Sequence, residues 1–128
     1  MPALERLSGW RIVATPGEID GARWLGDEVV VLRIASDEAF GVGASGVEVD
    51  DPDAIAEDDQ GFVAAWLDPL DVQTLAAHAD WELPGIAGEM AQGKIAGVPV
   101  KLIAGDRALL VTQASYAHDL AERLGWLP

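Results

Sequence analysis

The stretch FVAAWLDPLDVQTLAAH, residues 62–78, decides the fold, because an apolar run passes directly into a helix start. Phe62–Leu67 has the length of a buried strand. Asp68 is a side-chain acceptor suited to a helix N-cap, and Pro69 suits the first helical position, where no backbone N–H is needed. The apolar positions of this helix, which we expect to end near His78, recur at spacings of three and four: Val72, Leu75, Ala76 and Ala79.

A second strand–helix pair closes the chain. Ala108–Thr112 reads as a strand, and the last helix is predicted to begin near Ser115 as N-cap and to end at Gly125. Two further apolar segments, Met90–Ile95 and Val98–Ile103, flank Gly97 between the two pairs. A sheet covered on one face by two helices is the economical packing for this order.

The first half of the chain adds shorter candidate strands. Trp10–Ala14 stops at Pro16, and Val29–Ala35 with Phe40–Ala44 forms a plausible hairpin. Together the two halves predict an α+β fold of ferredoxin-like units, with a mostly antiparallel sheet covered by two helices. At 128 residues we expect one domain, residues 1–128.

Composition excludes several classes of protein. The chain has 8 Lys and Arg against 22 Asp and Glu, a net charge of −14, which disfavours nucleic-acid binding and attachment to anionic lipid. It has no cysteine, hence no disulfide, thiol nucleophile or Cys-ligated metal. Its N-terminus does not resemble a secretory signal, and no apolar run reaches the ~20 residues of a membrane span. We therefore expect a cytoplasmic, soluble protein.

The acidic charge is concentrated in one segment. Glu48–Asp59 carries seven acidic residues and no basic one. With Pro52 inside it, the segment is predicted to be an exposed loop with one helical turn at Asp53–Glu57. It does not fit a calcium-binding loop, because Ile55 and Ala56 fall where an EF-hand needs an oxygen ligand and a glycine.

The motif Gly41-Val-Gly-Ala-Ser-Gly46 matches the glycine spacing of dinucleotide-binding loops. Such loops must lead into a helix whose N-terminus holds the phosphates. Here an extended and acidic segment follows, which would repel phosphate. We interpret the motif as a strand end with a turn, and we predict no cofactor-binding residue.

Neither histidine lies in a pattern of catalytic or metal-binding residues. His78 and His118 have no second ligand at the spacing of known zinc motifs. Ser45 does not fit the G-x-S-x-G pattern of hydrolases. The sequence therefore predicts no catalytic and no metal-ligating residue, although a triad formed only in space stays open.

Five tryptophans are many for a chain of this length. Trp66 lies in an apolar strand and is predicted to belong to the core. Trp24 lies between Arg23 and Leu25, and Trp126 follows the last helix, so both are candidates for exposure. Exposed tryptophan is common where proteins bind each other. Trp24 and Trp126 are therefore the candidate partner contacts, with edge-of-core packing as the alternative.

The chain resembles the gamma subunit of heterotetrameric sarcosine oxidase over about residues 29–126. Val31–Phe40 is similar to the family pattern V-L-x-L-x-P-D-E-F-L-L, with Ser36 in place of proline and an inserted Ala39. The family's next strand and turn into a helix correspond to Phe62–Leu67 and Asp68-Pro69, its I-P-V-L-L segment to residues 95–102, and its closing R-S-F/Y segment to residues 114–116 with Leu120 and Leu124. The acidic segment at 48–59 is not part of the pattern.

The resemblance implies a fold shared with the folate-binding glycine-cleavage T-protein. It also implies a cofactor-free accessory subunit, not catalytic by itself, that docks on larger oxidoreductase subunits; self-association is the other partner to consider. The alternative function is a small folate-binding or one-carbon-metabolism protein, whose pocket would need a polar group such as Asp37, Glu38 or Tyr116. No folate ligand carries over from the family to a residue of this sequence.

Overall fold

The computed structural model describes residues 2–127 and divides the chain into two compact units. The N-terminal unit is Leu7–Gln60, and the C-terminal unit combines the residues up to Arg6 with the chain from Gly61 onward. The single-domain prediction for residues 1–128, with its family-like core at about 29–126, stays a prediction. No helix within residues 2–127 is long and apolar enough to cross a membrane.

Eleven strands, three α-helices and one 3-10 helix form within the described residues. In chain order they are β1 (Glu5–Arg6), β2 (Gly9–Val13), α1 (Pro16–Asp20), β3 (Arg23–Leu25), β4 (Val30–Ala35), β5 (Glu38–Val42), β6 (Gly46–Glu48), β7 (Ile55–Asp59), β8 (Phe62–Leu67), α2 (Pro69–Ala76), β9 (Met90–Ile95), β10 (Val98–Ile103), β11 (Ala108–Gln113), the 3-10 helix Ala114–Tyr116, and α3 (Ala117–Leu124). Every strand pairing among these residues is antiparallel. The predicted α+β fold with mostly antiparallel sheet is therefore confirmed, and the closer likeness to ferredoxin-like or T-protein-like units stays a prediction.

The C-terminal unit is built on a five-stranded sheet in the order β1-β8-β11-β10-β9. Because side chains alternate along a strand, one face of the sheet carries Leu67, Leu102 and Leu110, which join Leu75 of α2 and Leu120 of α3 in one buried cluster. Fully burying such a leucine contributes about 1.5–3 kcal/mol to folding. The strand–helix pairs predicted from residues 62–78 and 108–124 supply this core together with β9 and β10.

Two features of α3 differ from the sequence prediction. Ser115 is not the N-cap, because Ala114–Tyr116 first forms a 3-10 turn and the α-helix begins only at Ala117. Such tight turns are frequent at helix ends. The spacing of Asp119 and Arg123, four residues apart on α3, predicts an ion pair between them. Arg123 Nη1 instead donates to the carbonyl oxygen of Ala96 at 2.8 Å. The predicted end at Gly125 is confirmed by its left-handed conformation.

The N-terminal unit contains a four-stranded sheet, β4-β5-β2-β7, and a two-stranded sheet of β3 and β6. Its buried cluster centres on Ile12, Ile19 and Ala39. Arg33 ties α1 to the β4–β5 turn, because its guanidinium donates to Asp20 Oδ1 at 2.6 Å and to the carbonyl oxygen of Ser36 at 2.7 Å. The short elements α1 and β3 have no counterpart in the sequence prediction.

The prediction that the acidic segment is an exposed loop is wrong for the second half of that segment. Residues 55–59 form strand β7, which pairs in register with β2 at the edge of the sheet. Arg11 of β2 holds this edge: its guanidinium bonds Glu57 at 3.0 Å on one side and Glu38 at 2.9 Å on the other. The hydrogen bond that Arg11 Nε donates to the Glu38 carboxylate raises the pKa of Arg11. Charge along an exposed edge strand also discourages pairing with other chains.

The prediction that Trp66 belongs to the core is wrong. Trp66 is 49% exposed, whereas its neighbours Ala65 and Leu67 are buried. Because adjacent side chains of a strand point to opposite faces, Trp66 lies on the face away from α2 and α3. The Arg107 guanidinium stands 5.6 Å from the centre of its ring, in a cation–π arrangement.

Two other tryptophans pack flat on glycines of neighbouring strands. Trp81 lies against Gly93 of β9, and its Nε1 donates to the carbonyl oxygen of Lys94 at 2.8 Å. Trp24 lies in the same way against Gly41 of β5. At either glycine an added Cβ would overlap the indole ring, so the absence of a side chain is what allows the contact.

We expect Gly93→Ala to lower the free energy of unfolding by about 1–3 kcal/mol, because the new methyl group must displace the Trp81 ring. Gly85→Ala is the matched control, since nothing lies within 4 Å of a Cβ built there, and its effect is expected to stay within about 0.5 kcal/mol. Urea unfolding of the two variants measures the difference. Equal stabilities would contradict the packing.

Candidate binding cleft

An apolar cleft of about 280 Å³ opens in the C-terminal unit beside Pro84. Three parts of the chain line it: the first turns of α2, the loop before β9, and the end of β10 with the connection to β11. We call it the Pro84 cleft; its lining residues are Pro69, Val72, Pro84, Gly85, Ala87, Leu102, Ala104, Gly105, Asp106 and Ala108.

The α2 wall of the cleft is fixed by a capping box at the helix start. Asp68 Oδ1 accepts the backbone N–H of Asp71 at 2.8 Å, and Asp71 Oδ2 accepts the N–H of Asp68 at 3.1 Å. These two bonds satisfy backbone donors that a helix start otherwise leaves unpaired. The predicted N-cap at Asp68 and the proline at the first helical position are confirmed.

The loop wall is tied to the sheet at both ends. Trp81 anchors its beginning on β9, as described above. Near its end, Gly88 N–H donates to the carbonyl oxygen of Ala104, and Ala104 N–H donates to that of Glu89, both at 2.9 Å. Gly88 has a φ of +88°, a conformation that favours glycine. These contacts set the position of Pro84.

Most side chains that line the cleft are apolar, although polar atoms make up nearly half of its exposed surface. Leu102 and Ala108, both buried, form its floor, and Asp106 is its one ionisable lining residue. Binding sites for small molecules usually measure about 300–1,000 Å³. A cleft at the small end of that range fits a single apolar side chain better than a large cofactor.

A second depression lies on the other side of Pro84 and Gly85, which line both. This outer groove, as we name it, measures about 530 Å³ and is also lined by Glu82, Leu83, Ile86, Glu89, Met90 and Ala91. Ile86 is 70% exposed. Leu70, next to Pro69 of the cleft, is equally exposed at 70%. Ile86 thus faces solvent in the groove beside the cleft, whereas Leu70 is exposed on the same helix as Val72 but does not line either depression.

The two candidate partner contacts from the sequence lie elsewhere. Trp24 is half-buried in the N-terminal unit, on Gly41. Trp126 is half-buried against the core of the C-terminal unit and lines a crevice of about 50 Å³ with His78 and Leu124. Both positions fit the edge-of-core alternative, and a contact of either with a partner stays a prediction.

Each glycine of the motif at 41–46 has a structural role, either in packing or in a turn. Gly41 carries the Trp24 ring, and a Cβ at Gly46 would meet the side chain of Leu25 at 3.2 Å. Gly43 has a φ of +80° and forms the turn between β5 and β6. A strand and not a helix follows the motif, as the acidic continuation predicted.

The remaining polar candidates are distributed over separate surfaces. His118 pairs with Glu122 at 3.4 Å one turn along α3, and His78 is exposed just beyond α2. Within residues 2–127 no three His, Asp or Glu side chains come together as a possible metal site. Asp37 is exposed, Glu38 bonds Arg11, and Tyr116 is 37% exposed at the start of α3. None of these three lines the Pro84 cleft or the outer groove.

Sequence reasoning missed Leu70 and Ile86, although each carries a usable signal. Leu70 lies two positions before Val72, about 200° around the helix from the predicted apolar face. Ile86 is a single large apolar residue among loop-forming ones, in Pro84-Gly-Ile-Ala-Gly88. An apolar residue out of phase with its helix, or isolated in a loop, indicates a surface position.

The chain matches no protein-family model, and no curated protein is significantly similar to it.

We expect Asp68→Ala to lower the free energy of unfolding by about 0.5–2 kcal/mol, because both bonds of the capping box are lost. Gln73→Ala, at an exposed position of the same helix, is the control and should change it by less than about 0.5 kcal/mol. Chemical denaturation followed by circular dichroism gives both values. The capping role is disproved if the two variants are equally stable.

Proposed function

We propose that this chain is a non-catalytic interaction module, an accessory subunit that docks on a larger oxidoreductase through the surface around the Pro84 cleft. The observation that carries the proposal is the exposed Ile86, which lies in the loop that forms one wall of the cleft and lines the outer groove. A second exposed apolar side chain, Leu70, lies on the outer face of α2, the helix whose first turns form another wall. The oxidoreductase class comes from the resemblance of residues 29–126 to the gamma subunit of sarcosine oxidase.

The energetics support docking at this place. Removing one such leucine or isoleucine from water contributes about 1.5–3 kcal/mol, and a few well-packed anchors supply most of the energy of a typical interface. The Pro84 cleft, with its buried floor of Leu102 and Ala108, has the geometry to receive an apolar anchor from the partner. A stable complex would also need a polar rim, and Asp106 and Glu89 are placed to supply one.

The proposal includes a cytoplasmic location, since a chain without cysteine needs no oxidising compartment in order to fold. A second copy of this chain is the other candidate partner. The net charge of −14 opposes self-association, because two identical acidic chains repel each other at low salt. A heterologous partner is therefore the favoured one.

We expect the native chain to co-elute with a flavin-containing oxidoreductase on size exclusion, and the double variant Leu70→Asp, Ile86→Asp to elute as a free monomer. Each substitution puts a charge where the partner's apolar surface would lie. Ile55→Asp, at a residue of β7 that is 58% exposed, is the matched control and should keep the complex.

Circular dichroism of the three proteins establishes that each variant is folded. A native chain that elutes alone as a monomer would sink the proposal, and so would a double variant that keeps the partner. A native chain that elutes with further copies of itself, and with no other protein, identifies a self-associating protein instead.

A further inference from the structure

We infer that the Pro84 cleft and the outer groove bind a partner segment in which an apolar side chain is flanked by lysine or arginine. This inference rests on the proposed function and adds the chemical class of the partner. It combines the apolar lining of the cleft with the charges around it.

Every ionisable residue that lines the two depressions is acidic. Asp106 lines the cleft, and Glu82 and Glu89 line the outer groove. All three are exposed, so their carboxylates are available to a partner. From residue 79 to residue 93 the chain contains no basic residue. Among the described residues, the ionisable side chains that line the cleft and the outer groove therefore carry one sign of charge.

The basic residues closest to the cleft in sequence are directed towards aromatic rings. Arg107 follows Asp106 directly, but its guanidinium stands over the Trp66 ring at 5.6 Å. Lys101 of β10 stands over the Phe62 ring, also at 5.6 Å. Each contact places its cation near an aromatic ring of β8. We therefore expect the three carboxylates named above, which we call the rim carboxylates, to pair with a cation that the partner supplies.

The two parts of the surface have different roles in binding. The apolar cleft supplies most of the affinity through burial, as interface anchors usually do. The rim carboxylates supply selection by charge and a faster association, which the strongly negative chain reinforces. Exposed charges are screened by salt, so the contribution of the rim must weaken as ionic strength rises.

The test is a titration of the folded protein with the labelled heptapeptide GKKLKKG, followed by fluorescence anisotropy and by amide shifts in two-dimensional NMR. We expect the largest shifts at Val72, Ala87 and Ala104, which line the cleft. Binding should weaken when salt rises from about 0.01 to about 1 M, which shortens the Debye length from about 30 to about 3 Å. Peptides with serine in place of leucine, or glutamate in place of lysine, should bind at least about fivefold more weakly.

Two charge-matched triple variants test the rim. The affinity for GKKLKKG should fall at least about fivefold in the triple variant Glu82→Gln, Glu89→Gln, Asp106→Asn, as expected for the loss of three exposed ion pairs. Asp50→Asn, Asp53→Asn, Asp58→Asn changes the net charge equally, at exposed positions of the acidic segment, and should change the affinity by less than about twofold.

The inference is overturned if the glutamate peptide binds as well as the lysine peptide, if the shifts map away from the cleft, or if both triple variants bind equally. Its failure is separable from that of the proposed function. An oxidoreductase that co-elutes with the native chain and with the rim variant, but is lost with Leu70→Asp, Ile86→Asp, leaves the docking surface intact and removes only the basic partner.

Discussion

The contact of the Trp81 indole with Gly93 is the constraint on which the geometry of the Pro84 cleft depends. This contact joins the segment after α2 to β9, an edge strand of the five-stranded sheet. The Nε1 of Trp81 also donates a hydrogen bond to the carbonyl oxygen of Lys94. The segment that follows carries Pro84 and Ile86, and its far end is bonded to Ala104 at the end of β10. Without this anchor the loop wall of the cleft would be tied to the sheet only at its far end.

The N-terminal unit uses the same device, with Trp24 on Gly41 of β5. This accounts for a glycine motif that resembles a dinucleotide loop: its first glycine accommodates an indole, and its second makes a turn at a φ of +80°. Tryptophan in this chain therefore acts mainly as an edge-of-core residue. Trp66 is the exception, exposed on β8 beneath the guanidinium of Arg107.

Local patterns in the sequence predicted the C-terminal unit well, because its elements are long and have clear boundaries. Met90–Ile95 and Val98–Ile103 match β9 and β10, and Asp68 begins α2 as its composition requires. Strand β7 was missed because its acids look like loop residues, and only its pairing with Arg11 of β2 makes them a strand. The cleft was missed because its residues come from α2, β10 and the 84–87 loop, which meet only in the folded chain.

In the proposed function Ile86 contacts another protein in the cell, whereas Ile55, which is also apolar and exposed, does not. Replacing each in turn with the photo-crosslinking residue benzoylphenylalanine, in the native host, tests this claim most directly. After irradiation we expect position 86 to give a discrete cross-linked product with a second polypeptide, and position 55 to give no such product. No product from position 86, or the same product from both positions, would contradict it.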